Sequence, residues 1–241
     1  MNVWLVYEIR TRHHQSLSTT QKLRKRISDL EAGARSIAMK NSMDSLNQIL
    51  REEAEETLDQ LPRLLAILGP SWTLNHLLDL SQKFPTSSKI HLEAGALAYR
   101  IGDQKKSQHF LTQAVLSDPS ASAGLMLLSF SYDLDGDSDR ARFFAEQTVE
   151  SNPDGAYGFL ARAYLASAQE ESPRSIRSLL DHAISLRPKL PFGYILRART
   201  WIQDQQPDRA RSDLHRARKI DPRLQRIDQV ESLLSPSSTP R

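Results

Sequence analysis

The chain has 241 residues, which suffices for one or two domains that bury a core without disulfides or metals. It contains no cysteine, and this excludes thiolate nucleophiles, thiolate metal sites and a disulfide framework. The net charge of +3 is unevenly distributed, because both ends of the chain are basic and the middle is acidic. Such an asymmetry can attract an acidic partner or nucleic acid, but we favour a solvated helix surface as its explanation.

The N-terminal segment carries one apolar run, residues 3–7, which ends at Glu8. A secretory signal needs a basic start and a longer apolar stretch, and a membrane span needs about 18 apolar residues. The sequence has neither pattern, so we expect a cytoplasmic protein without membrane insertion. Residues 1–19 are expected to form a flexible basic N-terminus.

Residues 20–87 are predicted to form an N-terminal helical hairpin that includes a degenerate repeat unit. Leu23, Ile27 and Leu30 follow one another at intervals of 4 and 3 residues, which is typical of an amphipathic helix. Leucines continue this pattern up to Leu65, and a break is expected near residues 40–42. The same apolar seam could instead join two copies of the chain, although it is too short to identify a coiled coil.

Prolines recur in the rest of the chain at intervals of 34, 34, 35 and 34 residues. They are Pro85, Pro119, Pro153, Pro188 and Pro222. The positions 12, 8 and 5 residues before each proline are mostly small or aliphatic, and this spacing places them on one stripe of a helix. These positions are Thr73, Leu77 and Leu80; Ser107, Leu111 and Ala114; Ala141, Ala145 and Thr148; Ile176, Leu180 and Ala183; and Ala210, Leu214 and Ala217.

Another helix is predicted to precede this one in each unit, with a short polar turn between the two. Pro173 and Pro207 stand where the second helix would begin, a position at which the missing amide hydrogen costs nothing. The extra residue of the 35-residue unit is best placed in the turn before Pro173.

This unit resembles the tetratricopeptide repeat, whose pattern combines an aromatic residue, a Leu-Gly pair and a tyrosine with two alanines, a large residue and a final proline. The matching residues besides the prolines are Gly95, Tyr132, Trp201, Ala141, Ala210, Leu111, Leu214, Ala114, Ala183 and Ala217. The sequence departs from the pattern where His91 and Phe159 replace the leading tryptophan, Arg162 and Arg197 replace the leucine, and Ile176 replaces an alanine.

The resemblance implies an all-α fold, a right-handed superhelix (α-solenoid) of stacked antiparallel helix pairs. Four clear units are expected at residues 88–121, 122–155, 156–190 and 191–222, together with one degenerate unit. Residues 223–234 are predicted to form a C-terminal capping helix with one apolar and one polar face. The apolar face is expected to carry Leu224, Ile227, Val230, Leu233 and Leu234, and the opposite face Arg223, Gln225, Arg226 and Asp228. The Ser-Pro-rich residues 235–241 are expected to be disordered.

In this family the first helices line the concave face of the superhelix, and their remaining side chains contact ligands. By this register the candidate partner-binding residues are Leu92, Met126, Phe130, Tyr157, Leu160, Tyr164, Phe192, Ile195 and Arg199. They are mostly apolar and aromatic, which predicts a groove for a peptide or helical segment of another protein. Alternatively, the N-terminal segment folds back and covers them.

The resemblance also limits the kind of partner. Some family members hold the acidic C-terminus of heat-shock chaperones with Lys, Asn and Arg, and that set is missing, since Leu92, Ala96, Leu127, Tyr157 and Ala161 stand at the matching positions. The apolar lining is similar in character to that of tetratricopeptide chaperones of secretion systems and assembly factors. We therefore expect an adaptor or an assembly or secretion-type chaperone.

Catalytic, cofactor-binding and metal-binding motifs were sought and not found in the sequence. Asp133, Asp135 and Asp137 are spaced like the start of a calcium-binding loop, but Ser138 and Phe144 stand where that loop needs glycine and a bidentate glutamate. Asp137 or Ser138 is instead expected to cap the next helix. We expect no enzyme activity, no cofactor and no small-molecule substrate.

Two other functions remain open from the sequence. Basic residues near both ends could bind nucleic acid, which we consider the less favoured partner because no recognition motif accompanies them. They are Arg10, Arg12, Lys22, Arg24, Lys25 and Arg26 near the N-terminus, and Arg209, Arg211, Arg216, Arg218, Lys219, Arg223 and Arg226 near the C-terminus. The other alternative is a homo-oligomeric scaffold joined through residues 20–40.

Overall fold

The computed structural model describes Lys25, Glu55 and residues 58–234, and the latter all belong to one compact unit. The predicted basic N-terminus, most of the N-terminal hairpin with its break near residues 40–42, and the C-terminal tail lie outside the described residues. Between residues 58 and 234 all regular secondary structure is helical.

Ten helices follow one another in the described part of the chain. Residues 58–83 are helical and form α1. The others are α2 (Ser88–Arg100), α3 (Gln104–Ser117), α4 (Ser122–Leu134), α5 (Ser138–Ser151), α6 (Ala156–Ala168), α7 (Pro173–Leu186), α8 (Pro191–Gln203), α9 (Pro207–Ile220) and α10 (Gln225–Ser232).

The helix lengths explain the sequence period. From α2 to α9 the helices alternate between 13 and 14 residues. Turns of three residues within a pair and four residues between pairs complete a 34-residue unit. The turn between α6 and α7, residues 169–172, has one residue more, so the prediction that the extra residue precedes Pro173 is confirmed.

Local capping fixes where the helices begin. The side chains of Ser87, Asp103, Asp137 and Ser172 each accept a hydrogen bond from a backbone amide in the first turn of the following helix. These bonds satisfy amides that have no acceptor within the helix. The prediction that Asp137 caps α5 is therefore confirmed.

The predicted stripe of the second helices forms the core between neighbouring helices. All fifteen residues at the three positions before the prolines are buried. The helices of each pair contact one another from α2 to α9, and each pair contacts the next. The fold class is thus confirmed as all-α, an α-solenoid of stacked helix pairs, because one pair cannot bury its apolar face alone.

A substitution within α5 tests this packing. Ala141 is fully buried, so Ala141→Trp forces a large ring between packed helices and should lower the free energy of unfolding by about 1–3 kcal/mol. Glu146→Trp, at an exposed position of the same helix, should change it by less than about 0.5 kcal/mol. Urea denaturation of the two variants measures both values, and equal stability of the two would contradict this packing.

The C-terminal helix is partly as predicted. Leu224, Ile227 and Val230 are buried, as expected of a capping helix. The expectation that Leu233 joins them is wrong, because α10 ends at Ser232 and the Leu233 side chain is 59% exposed. The expectation that Arg226 lies on its exposed face is wrong, because this side chain is only 4% exposed. Arg226 follows Phe192 by 34 residues, so α10 occupies the place of a further first helix and directs Arg226 toward the other first helices.

None of the helices in residues 58–234 combines the length and apolarity that crossing a membrane requires.

Candidate functional site

The first helices of the four pairs, α2, α4, α6 and α8, meet along a surface that we call the inner face. Each of them contacts the next. The array also curves strongly enough for α2 to reach α8, since the rings of Tyr99 and Phe192 lie 5.9 Å apart, centroid to centroid. Phe192 also contacts the ring of Phe130 in α4, at 4.9 Å. The inner face is therefore closed by aromatic contacts in its centre.

This closure corrects the expectation of a continuous exposed apolar lane. Five of the nine predicted groove residues are at most 8% exposed and belong to the core. They are Met126, Phe130, Leu160, Phe192 and Ile195. Their side chains stabilise the stack of first helices, so none of them offers a surface to a partner in this conformation.

The other four predicted residues are half-buried and fall into two separate places. Leu92 and Tyr157 line an open depression of about 660 Å³ at the N-terminal ends of α2, α4 and α6. Tyr164 and Arg199 line a cavity of about 320 Å³ near the C-terminal ends of α4, α6 and α8. The structure therefore does not gather the nine residues into one site.

Polar groups surround the apolar floor of the depression. Lys89, Glu93 and Arg187 belong to its lining. The guanidinium of Arg187 lies 5.1 Å from the centre of the Tyr157 ring, and its Nη1 donates a hydrogen bond of 3.4 Å to the Tyr157 hydroxyl. Burial raises the pKa of Tyr157, so this hydroxyl stays neutral at physiological pH. The depression thus combines apolar contact area with charged groups of both signs.

The C-terminal helix covers the inner face between these two places. Arg226 donates hydrogen bonds to the Tyr99 hydroxyl, at 3.4 Å, and to the Phe130 carbonyl, at 3.4 Å. Its Nη2 lies 2.7 Å from Oδ2 of Asp133, and its guanidinium lies 4.9 Å from the Phe130 ring centre. Within residues 58–234, α10 thus covers part of this face, and the alternative that the N-terminal segment folds back over the groove residues lies outside the described residues.

Two further contacts join the C-terminal segment to α2. Asp221 forms an ion pair with Arg100 and accepts one hydrogen bond from its Nη2, at 2.9 Å from Oδ1. Gln225 donates a bond of 3.2 Å to the Ile101 carbonyl. These partners are more than 120 positions apart in sequence, so the C-terminal segment connects the first described pair to the last.

Asp133 is the carboxylate that the polar and charged side chains of the inner face surround. Its carboxylate accepts hydrogen bonds from Arg226 and from the Tyr164 hydroxyl, the latter at 3.0 Å. Burial and the negative charge of Asp133 raise the pKa of Tyr164 to about 12. Burial and the neighbouring Arg226 lower the pKa of Arg199, which makes no hydrogen bond or ion pair within residues 58–234.

Sequence reasoning missed three of these residues. Tyr99 and Asp133 lie three positions after Ala96 and Phe130, which were already assigned to the inner register. Arg226 lies one repeat period after Phe192. Extending the same register by one turn, and into the capping helix, would have found all three.

The acidic turn and the histidines form no metal site in the part of the chain described. Residues 58–234 contain no cluster of three or more histidine, aspartate or glutamate side chains arranged to hold a metal ion. Asp133 binds Arg226, Asp135 accepts a hydrogen bond from Gln108, and Asp137 caps α5.

The arginines that suggested nucleic-acid binding are partly engaged within the protein. Arg211 pairs with Asp208, and Arg218 pairs with Asp228 and Glu231. Arg209 and Arg216 lie over the rings of Trp201 and Tyr194. These contacts give the arginines a structural role, and the N-terminal basic residues, apart from Lys25, lie outside the described residues.

Solved structures of other proteins are similar to this chain in fold. No family model matches the chain, and no curated protein matches it in sequence. The solved structure of TTC0263, a tetratricopeptide repeat protein of Thermus thermophilus, is similar, with a TM-score of 0.54, 17% identity and coverage of 75% of this chain and 98% of that one. A tetratricopeptide repeat protein from Parabacteroides merdae is similar with a TM-score of 0.50, 13% identity and coverage of 75% and 78%. Together with the 34-residue helix pairs, these likenesses show that the chain has the tetratricopeptide-repeat fold.

Proposed function

We propose that this protein is a scaffold for protein-protein interaction that binds a peptide or helical segment of another protein at its inner face. The proposal includes the role of an adaptor or an assembly or secretion-type chaperone. It also includes a cytoplasmic location and the absence of enzyme activity. The tetratricopeptide-repeat fold supports an interaction scaffold in general.

The observation that carries this proposal is the open depression at the N-terminal ends of α2, α4 and α6. Leu92 and Tyr157 contribute apolar surface there that the core does not cover completely. A partner side chain that contacts them would bury apolar area, and charged groups at the rim would orient its backbone or side chains. The volume of about 660 Å³ accommodates several side chains of a partner.

Photo-crosslinking tests the location of this surface. A benzophenone-bearing amino acid at Tyr157, introduced in cells of the native host, should form a covalent adduct with a partner protein. The same amino acid at Phe143, which is exposed on the outer helix α5, should form no adduct with that partner.

A pair of charge substitutions then tests the contact itself. Leu92→Glu should reduce the yield of the Tyr157 adduct at least tenfold, because it places a charge in the apolar floor. Leu116→Glu, at a 70% exposed position of α3, is the matched control and should leave the yield unchanged. Phe130 is unsuitable as a probe, since its side chain is core. Equal yields for all three proteins would exclude the depression as the binding surface.

A further inference from the structure

We infer that the inner face is a receptor for a short helix that carries an arginine, and that α10 is its exchangeable internal occupant. This inference rests on the proposed function and adds a partner class that binds the inner face beside the depression. The partner is a helical segment with aliphatic residues two positions before, one position after and four positions after an arginine, and it binds by replacing α10.

The spacing comes from the contacts of α10 itself. Leu224, Ile227 and Val230 are buried in the main core cluster, and Arg226 enters the same face between them. An apolar stripe gives a docked helix buried contact area. The single inward arginine fixes the position of the helix along the surface, because only one placement brings the guanidinium to its acceptors.

The receptor side is complementary to that arginine. Asp133 supplies the carboxylate, and the Phe130 carbonyl and the Tyr99 hydroxyl supply two further acceptors. The Phe130 ring lies beside the guanidinium and adds a cation–π contact. All these acceptors belong to α2 and α4, helices far from α10 in sequence, whereas α10 also packs against α8 and α9.

Several features make α10 replaceable. It has eight residues, and a helix of that length is not stable without the surface on which it docks. Its contacts with α9 include the exposed ion pairs of Arg218, which contribute little to stability. The turn at residues 221–224 connects it to α9.

Departure of α10 would not leave Asp133 without a partner. The Tyr164 hydroxyl still donates to this carboxylate, and Arg199 lines the same cavity as Asp133. Arg199 has no competing hydrogen bond within residues 58–234 and is repelled by Arg226 in the docked state. Asp133 therefore keeps a hydrogen-bond donor both with α10 docked and with α10 released.

The first experiment uses a fluorescent synthetic peptide of residues 219–234 and the full chain. Arg226→Ala weakens the internal occupant and leaves the receptor unchanged. This variant should bind the peptide at least tenfold more tightly than the wild type in fluorescence anisotropy, because the internal helix competes less. The peptide with Ala in place of Arg226, and the double variant Arg226→Ala with Asp133→Ala, should each lose this gain.

A second measurement tests whether the peptide displaces α10, even if the Arg226→Ala chain folds poorly. The sequence has no cysteine, so Val230→Cys provides a single thiol that docking buries. The unlabelled peptide should accelerate the reaction of this thiol with a disulfide reagent in a saturable way, and the alanine peptide should not.

Unchanged thiol reactivity together with equal peptide affinity for wild type and Arg226→Ala would overturn the inference and make α10 a permanent part of the core. A mass of two chains, with no response to the peptide, would instead assign the face to a second copy and overturn it as well. If either result occurs while Leu92→Glu still reduces partner crosslinking, the proposed function stands and only the partner class fails.

Discussion

Replacing Asp213 with alanine should lower the free energy of unfolding by about 2–3 kcal/mol, because Arg197 loses two charge-assisted hydrogen bonds and keeps only its ion pair with the exposed Asp181. Asp213 is buried in α9 and accepts two hydrogen bonds from this guanidinium, at 2.9 Å from Nε and 2.7 Å from Nη2. It also accepts a bond of 3.1 Å from the Trp201 indole. Urea denaturation monitored by circular dichroism measures the loss.

Asp181 provides the control for this prediction. It binds the same guanidinium, through Nη1, but its side chain is 59% exposed. Solvent screens an exposed pair, so Asp181→Ala should cost about 0–1 kcal/mol. Equal costs for the two variants would show that burial does not determine the strength of the Arg197 contacts.

Alanine at Gly158 should destabilise the protein by about 3 kcal/mol, the largest effect among three equivalent glycines. Gly124, Gly158 and Gly193 are each the third residue of a first helix. A Cβ at Gly158 would overlap with the backbone carbonyl oxygen of Asn152, which cannot move without shifting the turn between α5 and α6.

The two other glycines supply a graded comparison. A Cβ at Gly193 would meet a side-chain carbon of Ile184 at 2.7 Å, so Gly193→Ala should have an intermediate cost of about 1–2 kcal/mol. A Cβ at Gly124 would lie 3.3 Å from Val115, and the gain in helix propensity should offset that contact to within about 1 kcal/mol. Thermal and urea denaturation of the three variants should reproduce this order, and a different order would contradict the helix contacts described.

The departures from the repeat pattern show how far a motif predicts packing. Arg197 stands where the repeat usually has leucine, and sequence alone could not say what compensates its charge. The structure places Asp213 beside it, 16 positions later in the paired helix. Arg162, at the equivalent position of the preceding unit, lies over the Phe159 ring at 5.3 Å instead. Two arginines at one register therefore use different partners, one in the paired helix and one in its own helix.

The candidate site was predicted less well than the fold. Leu92, Tyr157, Tyr164 and Arg199 keep accessible surface, whereas Phe130 and the other central residues are core. The register correctly identified which side of each first helix turns inward. It could not say how close the first helices of different units come, and that distance decides whether an inward side chain lines a groove or fills a core.

The sequence by itself determined the helix pairs, their 34-residue period, the turn that holds the extra residue and the buried stripe of the second helices. These features depend on contacts within a unit or between neighbours, which a periodic pattern records directly. Only the tertiary structure decided that α2 meets α8 and that α10 docks on α2 and α4. The reason is that curvature accumulates from small rotations between successive pairs, and the sum over several units is not encoded in any one of them.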